Sequence, residues 1–101
     1  MKFGLTDHEL NILHKIVIDP LIQIKARVWI FGSRARGDHR PFSDIDILFE
    51  LPPGKTLELS FLSEMKEEVE DSSLPYKVDI VNAKEVAESY RKGVLKDKFE
   101  F

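Results

Sequence analysis

The sequence predicts an α+β fold, a small mixed β-sheet with helices packed on it in the order α-β-β-α-β-α. Three observations carry that expectation. Apolar residues recur at helical spacing in three stretches, and β-branched and aromatic residues crowd three short runs between them. The second and third of those runs are also separated by a segment long enough for a crossover helix, which makes these two strands parallel with a right-handed connection. The first and second are joined by a short connection and are expected to be antiparallel. The strand over 44–49 then lies in the middle of the sheet.

Each element has its own signal. Thr6 and Glu9 form a capping box, with Leu5 and Leu10 as the hydrophobic staple around it. Leu10, Leu13, Ile16 and Val17 follow on one helical face, and Asp19-Pro20 is expected to close the helix, because the residue before proline is pushed out of the α region. Residues 26–31 read as the first strand, broken at Gly32-Ser33. A polar stretch over 34–43 holds Gly37 and Pro41 and leads into the second strand at 44–49, after which Leu51-Pro52-Pro53-Gly54 is a loop. From Leu57, the residues Phe61, Leu62, Met65 and Val69 mark an amphipathic helix that Ser72-Ser73 and Pro75 end. Residues 76–81 form the third strand, and the remainder from 83 to about 98 is mostly helical, with Gly93 its weak point. The tail, Phe99-Glu100-Phe101, leaves two aromatics that either pack on the domain or dock on another chain.

Composition narrows the function. The 101 residues fit one domain over 1–101, with no room for a separate substrate domain. Without cysteine, a disulfide framework, thiol catalysis and a cysteine-zinc site are excluded. Lys and Arg number 15 against 18 Asp and Glu, a net charge of −3 that argues against direct nucleic-acid binding. No apolar run approaches the roughly 20 residues that cross a bilayer, and the start meets acid before an apolar signal region could form. A cytoplasmic protein with no membrane partner is expected.

The chemistry is concentrated at Asp44 and Asp46. Aspartate is disfavoured in a central strand, because an unpaired buried carboxylate is expensive. At i and i+2 the two point to the same face, where they repel and raise a pKa unless a divalent cation compensates them. Mg²⁺ suits such a site, since it takes a few carboxylate oxygens plus substrate phosphates. In the third strand Val78 and Ile80 face one way and Asp79 the other, so Asp79 can join the cluster. Three carboxylates on one sheet face suit two metals about 3.5–4 Å apart, the arrangement for in-line displacement at phosphorus. Gly32-Ser33 adds a tight turn with backbone N–H and hydroxyl donors, an anion site. Gly32-Ser33, ten intervening residues and Asp44-x-Asp46 together arise by chance on the order of once in a thousand in a chain this long.

The segment Phe31-Gly32-Ser33-Arg34-Ala35-Arg36-Gly37, then Asp38-His39-Arg40-Pro41-Phe42, then Ser43-Asp44-Ile45-Asp46-Ile47, closely resembles the signature of the minimal nucleotidyltransferases of the DNA polymerase β-like superfamily. The resemblance implies the nucleotidyltransferase fold and metal-dependent transfer of a nucleotide, AMP from ATP, onto an acceptor hydroxyl. It implies that Gly32 and Ser33 hold the β- and γ-phosphates, that Asp44 and Asp46 bind Mg²⁺, and that Asp79 is the third acid that helps activate the hydroxyl. Members resembling this chain act as antitoxins of HEPN-domain ribonucleases, adding AMP to a tyrosine of that partner. The small size agrees with an acceptor supplied by a separate chain.

Among the three arginines of the intervening loop, Arg36 is the first candidate to contact the triphosphate, with Arg40 beside it and Arg34 a further candidate. His8, His14 and His39 lack metal-ligand spacing, and His39 reads as a surface loop residue. Trp29 and Phe31 read as core, Ser43 as structural, and Glu67, Glu68, Glu70 and Asp71 as a solvated acidic face. Two other functions compete with the enzyme. One is a non-catalytic module that neutralises its partner by occlusion; the other is one subunit of a split small-molecule nucleotidyltransferase.

Overall fold

A computed structural model of the chain describes residues 2–86 and 88–101. Four strands form one sheet in the order β3-β2-β1-β4: β1 Arg27–Phe31, β2 Ile45–Glu50, β3 Val78–Asn82 and β4 Phe99–Glu100. β1 runs antiparallel to β2 and β2 parallel to β3, so β2 occupies the interior position expected of it. Alternation along the strands puts Val28, Ile30, Ile45, Ile47, Phe49, Val78 and Ile80 on one face. These residues are buried in a single core with Leu13, Val17, Ile18, Leu21, Met65 and Val69 from the helices that cover that face.

The first helix begins as the sequence dictates. Thr6 N–H donates to Glu9 Oε1 at 2.9 Å, Glu9 N–H donates to Thr6 Oγ1 at 3.1 Å, and Leu5 is buried. It does not end at Asp19-Pro20. Helix α1 (Asp7–Leu13) passes through a π-helical turn (His14–Ile18) into α2 (Asp19–Gln23). Proline lacks an N–H, and its ring collides with the carbonyl four residues back in an α-helix. The wider π turn, in which Asp19 N–H bonds His14 O, carries the chain past that obstacle. The real end is a Schellman motif: Ala26 N–H donates to Leu21 O and Lys25 N–H to Ile22 O, with Lys25 at φ +70° where glycine is usual.

The helix between β2 and β3, α4 (Leu59–Asp71), stops where Ser72 turns its hydroxyl back to Val69 O at 2.6 Å. Its Glu67, Glu68, Glu70 and Asp71 are exposed. The last segment departs from one continuous helix. A 3₁₀ turn (Ala83–Glu85) precedes α5 (Glu88–Asp97), and the position between them, Ala87, lies outside the described residues.

The tail adds a fourth strand absent from the expected order. β4 pairs with β1, and Phe101 N–H donates to Val28 O at 2.9 Å. Phe99 and Phe101 both pack edge-on against Phe3, Phe101 also against His14, and Arg27 grips Glu100 through two hydrogen bonds. The two aromatics therefore pack on the domain. On the sheet face away from the main core, Trp29 and Leu48 are buried, and Trp29 is flanked by Arg27 and Lys98. Among the described residues no helix is long and apolar enough to cross a membrane.

Candidate active site

The end of β1 and the starts of β2 and β3 meet at one edge of the sheet. Phe31 stands opposite Asp46 in the antiparallel pair, and Asp46 stands opposite Asp79 in the parallel pair. Register alone therefore puts Asp46 and Asp79 on the same face, beside the residue that follows β1. That residue is Gly32, at φ +77° and ψ −157°, a region only glycine adopts freely. A methyl group at Gly32 would collide with the Asp46 carboxylate. The glycine is thus required twice, by its backbone angles and by the closeness of the acid.

Asp46 is half-buried, and its carboxyl is pushed up to about 6. Burial is the main cause, followed by repulsion from Asp79 and then from Asp44; Arg36 and Arg34 oppose the shift more weakly. Asp44, exposed, lies one residue ahead of β2 rather than within it, and still acts on Asp46. The three carboxylates converge in the electrostatic sense. Among the described residues, however, no set of three carboxylate or imidazole groups is drawn into a ready-made metal cage. Asp79 leans toward Lys77, whose Nζ is 3.6 Å from Asp79 Oδ1. The donor set nonetheless fits Mg²⁺. A half-buried acid repelled by two others is what a divalent cation compensates, and Mg²⁺ keeps water and phosphate ligands rather than a full protein cage.

Ser33 opens the one-turn helix α3 (Ser33–Arg36), which closes at Gly37 in the left-handed conformation. Arg36 N–H bonds Gly32 O at 3.1 Å, and the N–H groups of the residues before it have no partner within so short a helix. Gly32 thus lies against Asp46, and Ser33 follows it directly at the first position of α3.

The arginines divide. Arg34 is 2% exposed; its Nε and Nη2 donate to Ser43 O, its Nη1 to Phe3 O, and its guanidinium lies 4.3 Å from the Tyr76 ring centroid. It is a clamp for the loop that delivers Asp44, which removes it from the candidates for triphosphate contact. Arg36 acts on Asp46 electrostatically and pairs with Asp38 and Asp97, joining α3 to α5. Arg40 is exposed and forms no ion pair among the described residues. Ser43 is structural, as expected: its hydroxyl accepts from Arg40 N–H at 2.9 Å. His39 is not a free surface residue. Its ring lies against Gly4, and its Nδ1 is buried without a partner. Lys77 escaped the sequence reading, although its position two residues before Asp79 puts both on one strand face.

The sequence profile of the nucleotidyltransferase domain family matches residues 10–101. Over 73 residues the chain is 36% identical to the probable protein adenylyltransferase MntA of Haemophilus influenzae. That alignment takes in 68% of this chain and 59% of MntA, so the chain spans less than two thirds of that curated relative. A solved structure assigned as a minimal nucleotidyltransferase superposes with a TM-score of 0.69 at 29% identity, over 97% of this chain and 98% of that one. A chain in the complex of a tri-AMPylated Shewanella oneidensis HEPN toxin with MNT antitoxin superposes with a TM-score of 0.63 at 20% identity. There the match covers 95% of this chain and 71% of that one, and it shows a shared fold.

Proposed function

This chain belongs to the nucleotidyltransferase domain family, and on that premise we propose that residues 1–101 form one domain that transfers AMP from ATP to a hydroxyl of a HEPN-type partner protein, as that partner's antitoxin. The relative named a protein adenylyltransferase and the fold shared with a chain in an AMPylated HEPN toxin complex support the acceptor class. The observation that carries the reading is the placement of Asp46, wedged between Asp79 in register and a glycine that presents only backbone. Carboxylates beside a side-chain-free turn are the pairing that polyphosphate chemistry needs. ATP and Mg²⁺ are cytoplasmic reagents, and we assign the activity to that compartment.

Each residue then has a task. Gly32 lets the polyphosphate approach the backbone, and Ser33 donates its hydroxyl and N–H to the β- and γ-phosphates. Arg36 offsets charge on the departing pyrophosphate, and Arg40 supplies positive charge at the mouth of the loop. Asp44, Asp46 and Asp79 would hold Mg²⁺, two ions, which when bound screen the triphosphate and lower the pKa of the accepting hydroxyl. Asp79 takes up the hydroxyl proton as the accepting oxygen bonds to the α-phosphorus and the bond to pyrophosphate breaks. Asp79 suits this task because its carboxylate is 42% exposed and open to an incoming chain.

The test is the intact mass of the HEPN partner after incubation with this protein, Mg²⁺ and each nucleoside triphosphate in turn. One or more AMP additions with ATP, absent with Asp44→Asn, are expected. No adduct with any nucleotide, or an undiminished adduct with Asp44→Asn, would sink the reading. A double variant, Asp44→Asn with Asp46→Asn, that still neutralises the partner assigns neutralisation to occlusion instead.

A further inference from the structure

Phe42 is left unused by the transfer chemistry, and its position is costly. Its side chain is 78% exposed and its φ is +66°. Ser43 N–H donates to Arg40 O at 3.1 Å, which closes a turn with Pro41 second and Phe42 third. Proline followed by a positive φ is the pattern of a type II turn, whose third position favours glycine or asparagine. Neither the turn nor the core asks for phenylalanine there.

The Phe42 ring instead faces Tyr76, with centroids 6.3 Å apart and planes tilted by 47°. Arg34 fixes both partners, binding the Ser43 carbonyl on one side and covering the Tyr76 ring on the other. The aromatic pair stands over the starts of β2 and β3, where Ile45 N–H donates to Lys77 O at 2.9 Å. β3 is an edge strand, and from Tyr76 a groove of about 520 Å³ passes Lys66, Val69, Leu74 and Lys77 to reach Asp79.

The order of parts across the sheet selects the occupant. Gly32-Ser33 follows β1, Asp46 is on β2 and Asp79 on β3, so a polyphosphate held at Gly32-Ser33 lies on the β1 side of the acids. In-line displacement brings the attacking oxygen to phosphorus opposite the departing pyrophosphate. The acceptor therefore enters from the β3 side, where Phe42, Tyr76 and the groove are. We propose that Phe42 and Tyr76 form the wall of the acceptor site. They hold an apolar or aromatic side chain of the partner segment that carries the accepting hydroxyl, and so select which hydroxyl reaches Asp79. This inference rests on the transfer reading above.

The experiment uses the complex with the HEPN-type partner. A photoreactive benzoylphenylalanine replaces Phe42 and, as a control, Leu59, which is 92% exposed at the far start of α4. Crosslinks from position 42 are expected on the partner peptide that carries AMP, and those from position 59 elsewhere. In steady-state assays Phe42→Ala is expected to raise KM for the partner at least about tenfold, leaving the Kd for ATP unchanged. A crosslink far from the modified peptide overturns the proposal. So does a matching rise in the Kd for ATP, which would make Phe42 a base-stacking residue, or Phe42→Ala kinetics equal to wild type. A wild-type protein that modifies no partner brings down the transfer reading itself, and this inference with it.

Discussion

On one face of the sheet Ile45, Ile47 and Phe49 are sealed from solvent against the helices. On the other face of the same strand, between Ile45 and Ile47, stands an aspartate that two further acids repel and that burial already disfavours. The first face carries most of the folding free energy, and the other, beyond the buried Trp29 and Leu48, holds charge that folding alone does not need. The same backbone serves both, because a strand turns alternate residues to opposite sides. The rigid face therefore fixes the register that brings Asp46 beside Asp79 and Gly32. Substitutions on the two faces are expected to differ in sign.

The largest effect belongs to the sealed face. Ile47→Ala removes three carbons from a site that is 0% exposed and is expected to cost about 3 kcal/mol. Against a total of about 5–10 kcal/mol for a domain of this size, that is a large fraction. Urea unfolding measures it, and a loss well under about 1 kcal/mol would show that the face is not close-packed.

How far the sequence disclosed this division depends on how local each cause is. The capping box, the alternation along β2 and the Asp44-x-Asp46 spacing are local and readable. Asp79 was readable once the strand over 76–81 was placed parallel to β2. Three features were not. The chain passes Pro20 because of a π turn, and the helix ends on Lys25 rather than on a glycine, so the usual stop signals misled. β4 is two residues long and exists only because β1 offers an edge. Arg34 and Arg36 are equivalent in sequence and opposite in role, since only the fold brings the Ser43 carbonyl and the Tyr76 ring to Arg34.

For stability, the open face supplies the smaller and opposite effect. Asp46→Asn removes the repelled charge, so the metal-free protein is expected to gain about 1 kcal/mol, a figure already reduced for solvent screening at a half-exposed group. AMP transfer by the same variant is expected to fall on the order of a thousand-fold, since the removed carboxylate would be a metal ligand. Thermal unfolding in EDTA and the mass assay read the two changes. A variant that loses both stability and transfer would remove the contrast between the faces.

The smallest effect is the pH dependence of that gain, and its direction follows from proton uptake. Asp46 is held near 6 in the folded chain against 3.8 for a free aspartate side chain, so between those values the native state binds more protons than the unfolded one. Stability of the metal-free protein is therefore expected to fall as pH rises from about 4 to about 6, and to level off above. Arg27 holds the Glu100 carboxyl below its usual range, and that pair contributes the opposite slope at more acid pH. Subtracting the Asp46→Asn profile from the wild-type profile cancels the Glu100 contribution and isolates Asp46. A divalent cation needs the ionised carboxylate, so Mg²⁺ affinity is expected to weaken toward about tenfold per unit below pH 6, as one proton competes with one ion. Calorimetric titration in two buffers of different ionisation enthalpy measures that proton directly. Release of no proton near pH 6 would mean that Mg²⁺ does not bind through Asp46, and the open face would then lack its compensating charge.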